Sequence, residues 1–264
     1  MPGADEAAHA AAARSGADVI ILELEDFTPP ELRPQARQLS ARAFASWRKA
    51  GALAGVRINP FETCGAEDLA GIAQPDVLMM SKVDAPEQVQ RLEAAAPKGV
   101  ELVPNIESAR GLLRIQEIAR ASTRITALLV ASEDMVADLG TERSRSGEEL
   151  AYVRSRFLVE CRAAGVEAID CPYTFSDVKG AVADARYAKR LGYRMKSLVD
   201  PSHAKALNAV FTPSRAELAK AQKIVAAFEK ARAAGRERAK VGGALIEVPI
   251  YAAAKRLLAS RGRS

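Results

Sequence analysis

Acidic side chains stand where apolar runs stop. Asp18-Val19-Ile20-Ile21-Leu22-Glu23-Leu24 is followed by Glu25-Asp26, Leu102-Val103-Pro104-Asn105-Ile106 by Glu107, and Leu128-Leu129-Val130-Ala131-Ser132 by Glu133-Asp134. If these runs are parallel strands alternating with helices, their carboxyl ends share one rim, and carboxylates distant in sequence converge there. Hard divalent cations take such oxygens. Glu107 and Asp134 close two successive strands, so one oxygen of each can reach a single Mg²⁺ or Mn²⁺ while positions stay open for water and a bidentate 2-oxo acid. Capping of the helices that follow is the structural use of the same two acids. Arg57, inside the short apolar strand Gly55-Val56-Arg57-Ile58-Asn59, carries a planar fork suited to a substrate carboxylate or to an ion pair with a rim acid. Glu25 and Asp26 fall beside the metal pair, able to hold metal-bound waters or move protons, and Glu23 shares a strand face with Glu25. Lys82, after Leu78-Met79-Met80-Ser81, reaches the same rim. An ion pair with neighbouring acids is expected of it rather than a Schiff base. His9 and His203 lack metal-ligand spacing and are assigned surface or capping roles.

The elements that must position these residues alternate regularly. Strands are predicted over 18–24, 55–59, 76–81, 101–106, 126–132, 166–170 and 193–199. Helices are predicted near 4–15, 32–50, 65–73, 85–96, 108–122, 146–164 and 175–191. Seven strands joined by helices imply parallel pairing, one short of a closed eight-stranded barrel. Because Pro2-Gly3 stands before the first helix as a strand-to-helix loop would, the first strand is expected upstream of Met1. An open doubly wound sheet would carry a glycine-rich phosphate loop after its first strand, and no such motif is present. Beyond residue 200 the pattern changes. Ser214 with Glu217 forms a capping box for a helix to about 235, Gly242-Gly243 breaks the chain, Ala244-Leu245-Ile246 is a short extended piece, and Pro249 opens a last helix through Leu258. The division is therefore a barrel over 1–211 and a helical extension over 212–264, too short for its own core and read as a lid or oligomer arm. Glu247, an acid between Ile246 and Val248-Pro249, is its odd residue.

Composition bounds the partners. The 264 residues are 48% hydrophobic and 27% charged, enough for one sizeable core and against disorder of the whole. Apolar runs are too short to cross a bilayer and the amino end lacks a signal-peptide layout, so no membrane partner is expected and the reading is cytoplasmic. Three cysteines without CxxC spacing suggest half-buried reduced thiols. The net charge of +5 gathers in the last third, in Lys230 to Lys240 and Lys255-Arg256 through Arg263. Few aromatics are interleaved to stack on bases, so a solvated helix face is expected, then a handle for a phosphate-rich cofactor such as coenzyme A, and not nucleic acid.

The segments Ile21-Leu22-Glu23-Leu24-Glu25-Asp26, Val56-Arg57-Ile58-Asn59, Ile106-Glu107-Ser108-Ala109-Arg110-Gly111, Ser132-Glu133-Asp134-Met135-Val136-Ala137-Asp138-Leu139-Gly140 and Phe211-Thr212-Pro213-Ser214 resemble the citrate lyase β-subunit-like group of the HpcH/HpaI aldolase superfamily. Order and spacing run through nearly the whole chain. The resemblance implies a (β/α)₈ TIM-type barrel with Glu107 and Asp134 as Mg²⁺ ligands and Arg57 as the substrate-carboxylate arginine. It also makes the backbone at Ala131, Ser132 and Glu133 the carboxylate-binding loop. It implies a carbon–carbon lyase that works through an enolate on an acyl-CoA thioester or a 2-oxo or hydroxy acid, in a homo-oligomer of three or six chains. A 2-oxo acid aldolase that uses no CoA, and a non-catalytic subunit or scaffold, are the alternatives. Glu247 takes the place of the Asp that many thioester-cleaving members carry in a lid acting across the subunit interface. Val199-Asp200-Pro201-Ser202-His203 and Glu23-Leu24-Glu25-Asp26 also depart from the usual motifs, which points to a different substrate pocket.

Overall fold

Along each strand the apolar residues alternate in environment, and that alternation builds the frame of the site. The computed structural model describes residues 1–259; Arg261 and Arg263, the end of the basic run, lie outside the described residues. The chain divides into two units, 1–211 and 212–264.

The first unit opens with α1 (Glu6–Ala13), β1 (Val19–Glu23), α2 (Arg33–Lys49), β2 (Leu53–Ile58), α3 (Gly65–Gly71), β3 (Val77–Met80) and α4 (Pro86–Ala95). It continues through β4 (Glu101–Ile106), α5 (Ala109–Leu113), α6 (Ile115–Arg120), β5 (Ala127–Val130), α7 (Glu133–Asp138) and α8 (Ala151–Ala164). It ends with β6 (Glu167–Asp170), α9 (Val178–Leu191), β7 (Met195–Lys196) and α10 (Ala204–Phe211). All seven strands pair in parallel in sequence order, and the sheet curls as a half-barrel with β1 and β7 at its edges. Met1 and Pro2 lie beside β1, where the Glu23 N–H donates to the Met1 carbonyl at 2.9 Å.

Period-two alternation sorts the strand residues into two faces. Ile20, Leu22, Val56, Ile58, Leu78, Met80, Leu102, Ile106, Leu128 and Val130 pack in one cluster with Phe44 and Trp47 of α2, Ile118 of α6 and Phe157 of α8. Val19, Ile21, Val77, Met79, Val103, Ala127, Leu129 and Ile169 form a second cluster on the opposite, concave face. Continuing the same parity toward the carboxyl ends brings Glu23, Arg57, Asn105 and Glu107 onto the concave face. Truncating one of the fully buried aliphatics, such as Leu22, to alanine would cost roughly 2–5 kcal/mol.

Several expectations are corrected in detail. The helix foreseen over 108–122 breaks at Arg114, whose φ of −109° and ψ of 12° are not helical. The helix foreseen from 146 begins as α8 at Ala151, after a 3₁₀ turn over Glu148–Leu150 that follows left-handed Gly147. Helices α7 and α10 were not foreseen. His9 and His203 are buried rather than on the surface. Nε2 of His9 meets the Pro2 carbonyl at 2.9 Å and its ring packs edge-on against Trp47; Nε2 of His203 meets the Ser176 carbonyl at 3.1 Å. Cys161 and Cys171 are fully buried, only Cys64 is half-buried, and all three are free thiols.

The second unit holds α11 (Arg215–Ala233), the antiparallel pair β8 (Ala239–Val241) and β9 (Ala244–Ile246), and α12 (Val248–Ala259). Ser214 and Glu217 form the capping box of α11, at 3.1 and 2.7 Å. Gly242 and Gly243 both have positive φ, as a two-residue hairpin turn of the mirror-image type requires. Contrary to the expectation that this stretch is too short for a core of its own, Ala221, Ile224, Phe228, Ala231, Ile246 and Ala254 make a small core within it. No helix among the described residues is long and apolar enough to cross a membrane.

Candidate active site

Glu23 and Arg57 are register partners on adjacent strands, so their side chains rise together from the concave face. Arg57 Nε lies 2.5 Å from Glu23 Oε2, off the hydrogen-bond direction. Its NH2 reaches Asp26 Oδ2 at 3.1 Å and Glu25 Oε2 at 3.3 Å, and its NH1 stands 3.7 Å from Glu107 Oε1, beyond hydrogen-bonding length. The segment after β1 is fixed to β2 from both sides. Leu24 N–H donates to the Arg57 carbonyl at 3.1 Å, and the Asn59 amide donates to the Leu24 carbonyl at 2.8 Å. A guanidinium only 12% exposed needs such pairing. Burial alone would lower its pKa, but Glu23, Glu25 and Glu107 outweigh burial and hold it above its ordinary value.

The acids around it are destabilised as anions. Burial pushes Glu23 and Glu25 above the usual carboxylate range, against the pull of Arg57 on both and of Lys82 on Glu25. The Lys82 ammonium meets Glu25 Oε1 at 2.5 Å, as expected from sequence, and that bond raises the lysine's own pKa. Glu107 is the extreme case. It is 3% exposed, neither carboxyl oxygen has a hydrogen-bond partner, and burial with help from Asp134 and Glu25 pushes it up to about 8 against Arg57. Asn105, two residues earlier on the same face, also has an unpartnered buried Oδ1. A buried carboxyl without donors is costly. A hard cation would satisfy it, and its oxygens are the donor type that Mg²⁺ takes.

Asp134 lies in the first turn of α7, half-buried, and its charge is felt at both Glu107 and Lys82. No group of three or more His, Cys, Asp or Glu residues is arranged as a metal cage among the described residues.

Three further sequence candidates follow β5. Ala131 and Ser132 are buried, and the Ala131 N–H donates to the Ile106 carbonyl at 3.0 Å beside the base of Glu107. Glu133 turns toward Thr174, whose hydroxyl donates to it at 2.7 Å, and toward Arg143 at 3.6 Å. Glu247 belongs to the second unit, where it pairs with Arg238 at 3.1 Å across the base of the β8–β9 hairpin. Sequence reasoning missed Asn105, whose signal is a polar residue inside an apolar strand. It also missed a buried network at the ends of β6 and β7. There Arg154 holds Asp170 at 2.6 Å and Asp184 at 2.7 Å, and Lys196 holds the same two acids at 2.6 and 2.5 Å.

Comparison with known proteins adds a family context. A family model for HpcH/HpaI aldolase/citrate lyase matches residues 1–201. Citrate lyase subunit beta of Leuconostoc mesenteroides subsp. cremoris is 30% identical over 275 residues, covering 98% of this chain and 90% of that protein. The L-malyl-CoA/beta-methylmalyl-CoA lyase of Rhodobacter capsulatus is 32% identical over 280 residues, covering 94% and 88%. The solved structure of CitE from Mycobacterium tuberculosis, in complex with magnesium, acetoacetate and coenzyme A, superposes with a TM-score of 0.76 at 29% identity, covering 97% of this chain and 92% of that one.

Proposed function

The chain belongs to the HpcH/HpaI aldolase/citrate lyase family, and on that footing we propose that it is a Mg²⁺-dependent carbon–carbon lyase acting on an acyl-CoA thioester or a 2-oxo or hydroxy acid. The observation that carries this reading is Glu107, a buried carboxyl with two unpartnered oxygens beside Arg57. Glu107 and Asp134 would hold the ion. When bound, Mg²⁺ supplies Lewis-acid stabilisation of negative charge on a substrate oxygen.

The chain's own residues supply the rest. Arg57 NH1, the guanidinium nitrogen least engaged by the protein, faces the substrate carboxylate, and the backbone at Ala131, Ser132 and Glu133 completes that pocket. Glu25 or Asp26 takes the proton of the substrate hydroxyl. The carbon–carbon bond next to that hydroxyl then breaks to leave a carbonyl, its electron pair passes to the departing carbon as an enolate, and a proton returns to that carbon. Glu247 is the candidate proton donor if the segment around it serves as a lid, from the same chain or from a neighbour in a homo-oligomer of three or six. The three free thiols favour the cytoplasm as its compartment.

The test is a cleavage screen of 3-hydroxyacyl-CoA thioesters and of 2-oxo acids carrying a 4-hydroxyl, with Mg²⁺ and with EDTA. Cleavage that EDTA abolishes and Mg²⁺ restores is expected, and the active class separates the thioester lyase from the simple aldolase. No cleavage of either class would overturn the reading in favour of a non-catalytic subunit.

A further inference from the structure

Among the described residues Lys82 is the one non-glycine residue in the left-handed backbone region, with a φ of 56°. A long side chain is poorly suited to that conformation, which Gly or Asn would adopt at less cost. The surroundings nevertheless hold it there from several directions. Gln88, third residue of α4, accepts from the N–H groups of Asp84 and Ala85 at 2.8 and 3.0 Å, and its amide donates to the Lys82 carbonyl at 3.1 Å. Val83 N–H donates to the Asn105 carbonyl at 3.1 Å, and Ser81 N–H to the Ile58 carbonyl at 3.3 Å. The segment after Glu107 presses from the other side: a Cβ on Gly111 would stand 2.7 Å from the Val83 carbonyl oxygen, and Arg114 NH1 donates to the Asp84 carbonyl at 3.3 Å. Strain over-determined in this way is a mark of functional sites.

What the conformation secures is the aim of the side chain. The Lys82 ammonium is half exposed and bound to one carboxylate, Glu25. Arg57, by contrast, is 12% exposed and shared among four acids. A dicarboxylate whose oxo-acid end rests over the buried Glu107 and Arg57 can place its far carboxylate outward, toward the less buried cation. An ammonium has three donors and can keep Glu25 on one while offering another.

We infer that Lys82 binds the outward, second carboxylate of the substrate and so selects dicarboxylates over monocarboxylates, with Gln88 as the residue that positions it. This rests on the reading of the site as one for 2-oxo acids. The test is calorimetric binding of oxaloacetate and of pyruvate, which differ by one distal carboxylate, to the full chain with Mg²⁺. Wild type should prefer oxaloacetate. Lys82→Met should weaken oxaloacetate by about ten- to a hundredfold, the worth of one charged hydrogen bond, and leave pyruvate within about twofold. Lys82→Arg should restore most of the preference. Lys82→Asn should lose it while raising the melting temperature, because strain is relieved, and Gln88→Leu should lower it with the lysine still present. An unchanged preference in Lys82→Met, or an equal loss for both acids, would overturn the inference alone. Wild type that binds neither acid would overturn the reading of the site and the inference with it.

Discussion

Replacing Glu107 by glutamine keeps the shape of the side chain and removes its charge, which isolates what that charge does. In the metal-free protein Glu107 is pushed up to about 8 from an ordinary 4.5, and its side chain is 2% exposed, so solvent does little to screen the effect. Between those two pH values an unfolded chain has lost this proton while the folded one keeps it. The unfolded state therefore binds fewer protons, and metal-free stability should fall as pH rises through the window. At about 1.4 kcal/mol per unit the fall amounts to on the order of 5 kcal/mol. Glu107→Gln has no proton to lose there, so it should match wild type near pH 4.5 and exceed it above pH 8. Magnesium should place wild type above the variant near pH 5, where the two start almost level, and narrow the gap at higher pH. Binding to the folded state alone adds about 2.7 kcal/mol at a hundredfold excess over Kd, or roughly 5–10 °C in melting temperature for a chain of this size. The variant should gain almost none of it and should lose lyase activity. Thermal melts at pH 5, 7 and 9, in EDTA and in Mg²⁺, check both halves. A full magnesium shift in Glu107→Gln would show that Glu107 is not a ligand, and an unaltered pH slope would show that it does not carry the proton.

The buried network beyond β6 should be structural: Asp170→Asn leaves Arg154 and Lys196 to share Asp184, and urea unfolding should register a loss of about 3–5 kcal/mol with magnesium binding intact. A loss below 1 kcal/mol would mean the four charges relax into solvent. Glu247→Ala should cut kcat by roughly 10²–10⁴ with substrate binding kept. Loss of its exposed pair with Arg238 alone would cost under about 1 kcal/mol of stability and no activity, so an unimpaired enzyme returns Glu247 to that structural role. Recovery of activity on mixing Glu247→Ala with Glu107→Gln chains would establish a site shared between subunits.

The rim was legible in the sequence because its signal is local. An apolar run of strand length that stops at an acid reports both the strand and the end at which the acid emerges, which is how Glu25, Glu107 and Asp134 were found. Period-two parity then explains why Glu23, Arg57 and Glu107 meet on one face. Less was legible where tertiary packing overrides local pattern. Helix α7 has only six residues and opens with Glu133-Asp134, so it read as the acidic end of a strand. Strand β8 is three residues inside a basic run, and only its partner across Gly242-Gly243 makes it a strand. Arg154 carries no local signal of its role, although it lies on the same buried stripe of α8 as Phe157 and Cys161. Its partners stand 16 and 30 residues away. His9 looked solvated because nothing near it in sequence announces Trp47, which covers its ring from α2.

The charge balance of the rim leads to a last prediction, on the order of binding. Five carboxyl groups, Glu23, Glu25, Asp26, Glu107 and Asp134, are gathered about two cations, Arg57 and Lys82. The metal-free site is therefore an anionic pocket, partly relieved by the proton that Glu107 keeps. A 2-oxo acid is itself an anion, and a like charge brought within a few ångström into a site of low effective dielectric is repelled by several kcal/mol. Arg57 cannot offset this alone, since Glu23, Glu25 and Asp26 already draw on its guanidinium. The divalent ion must consequently bind before the substrate, with release of the Glu107 proton as it does so. Titration of pyruvate into EDTA-treated protein should give no detectable binding. Titration of Mg²⁺ should bind without substrate, and should release close to one proton near pH 7, read as a heat that scales with the ionisation enthalpy of the buffer. Equal affinity for pyruvate with and without the metal would refute the electrostatic argument, because it would mean that the metal-free site already presents a net attraction to an anion.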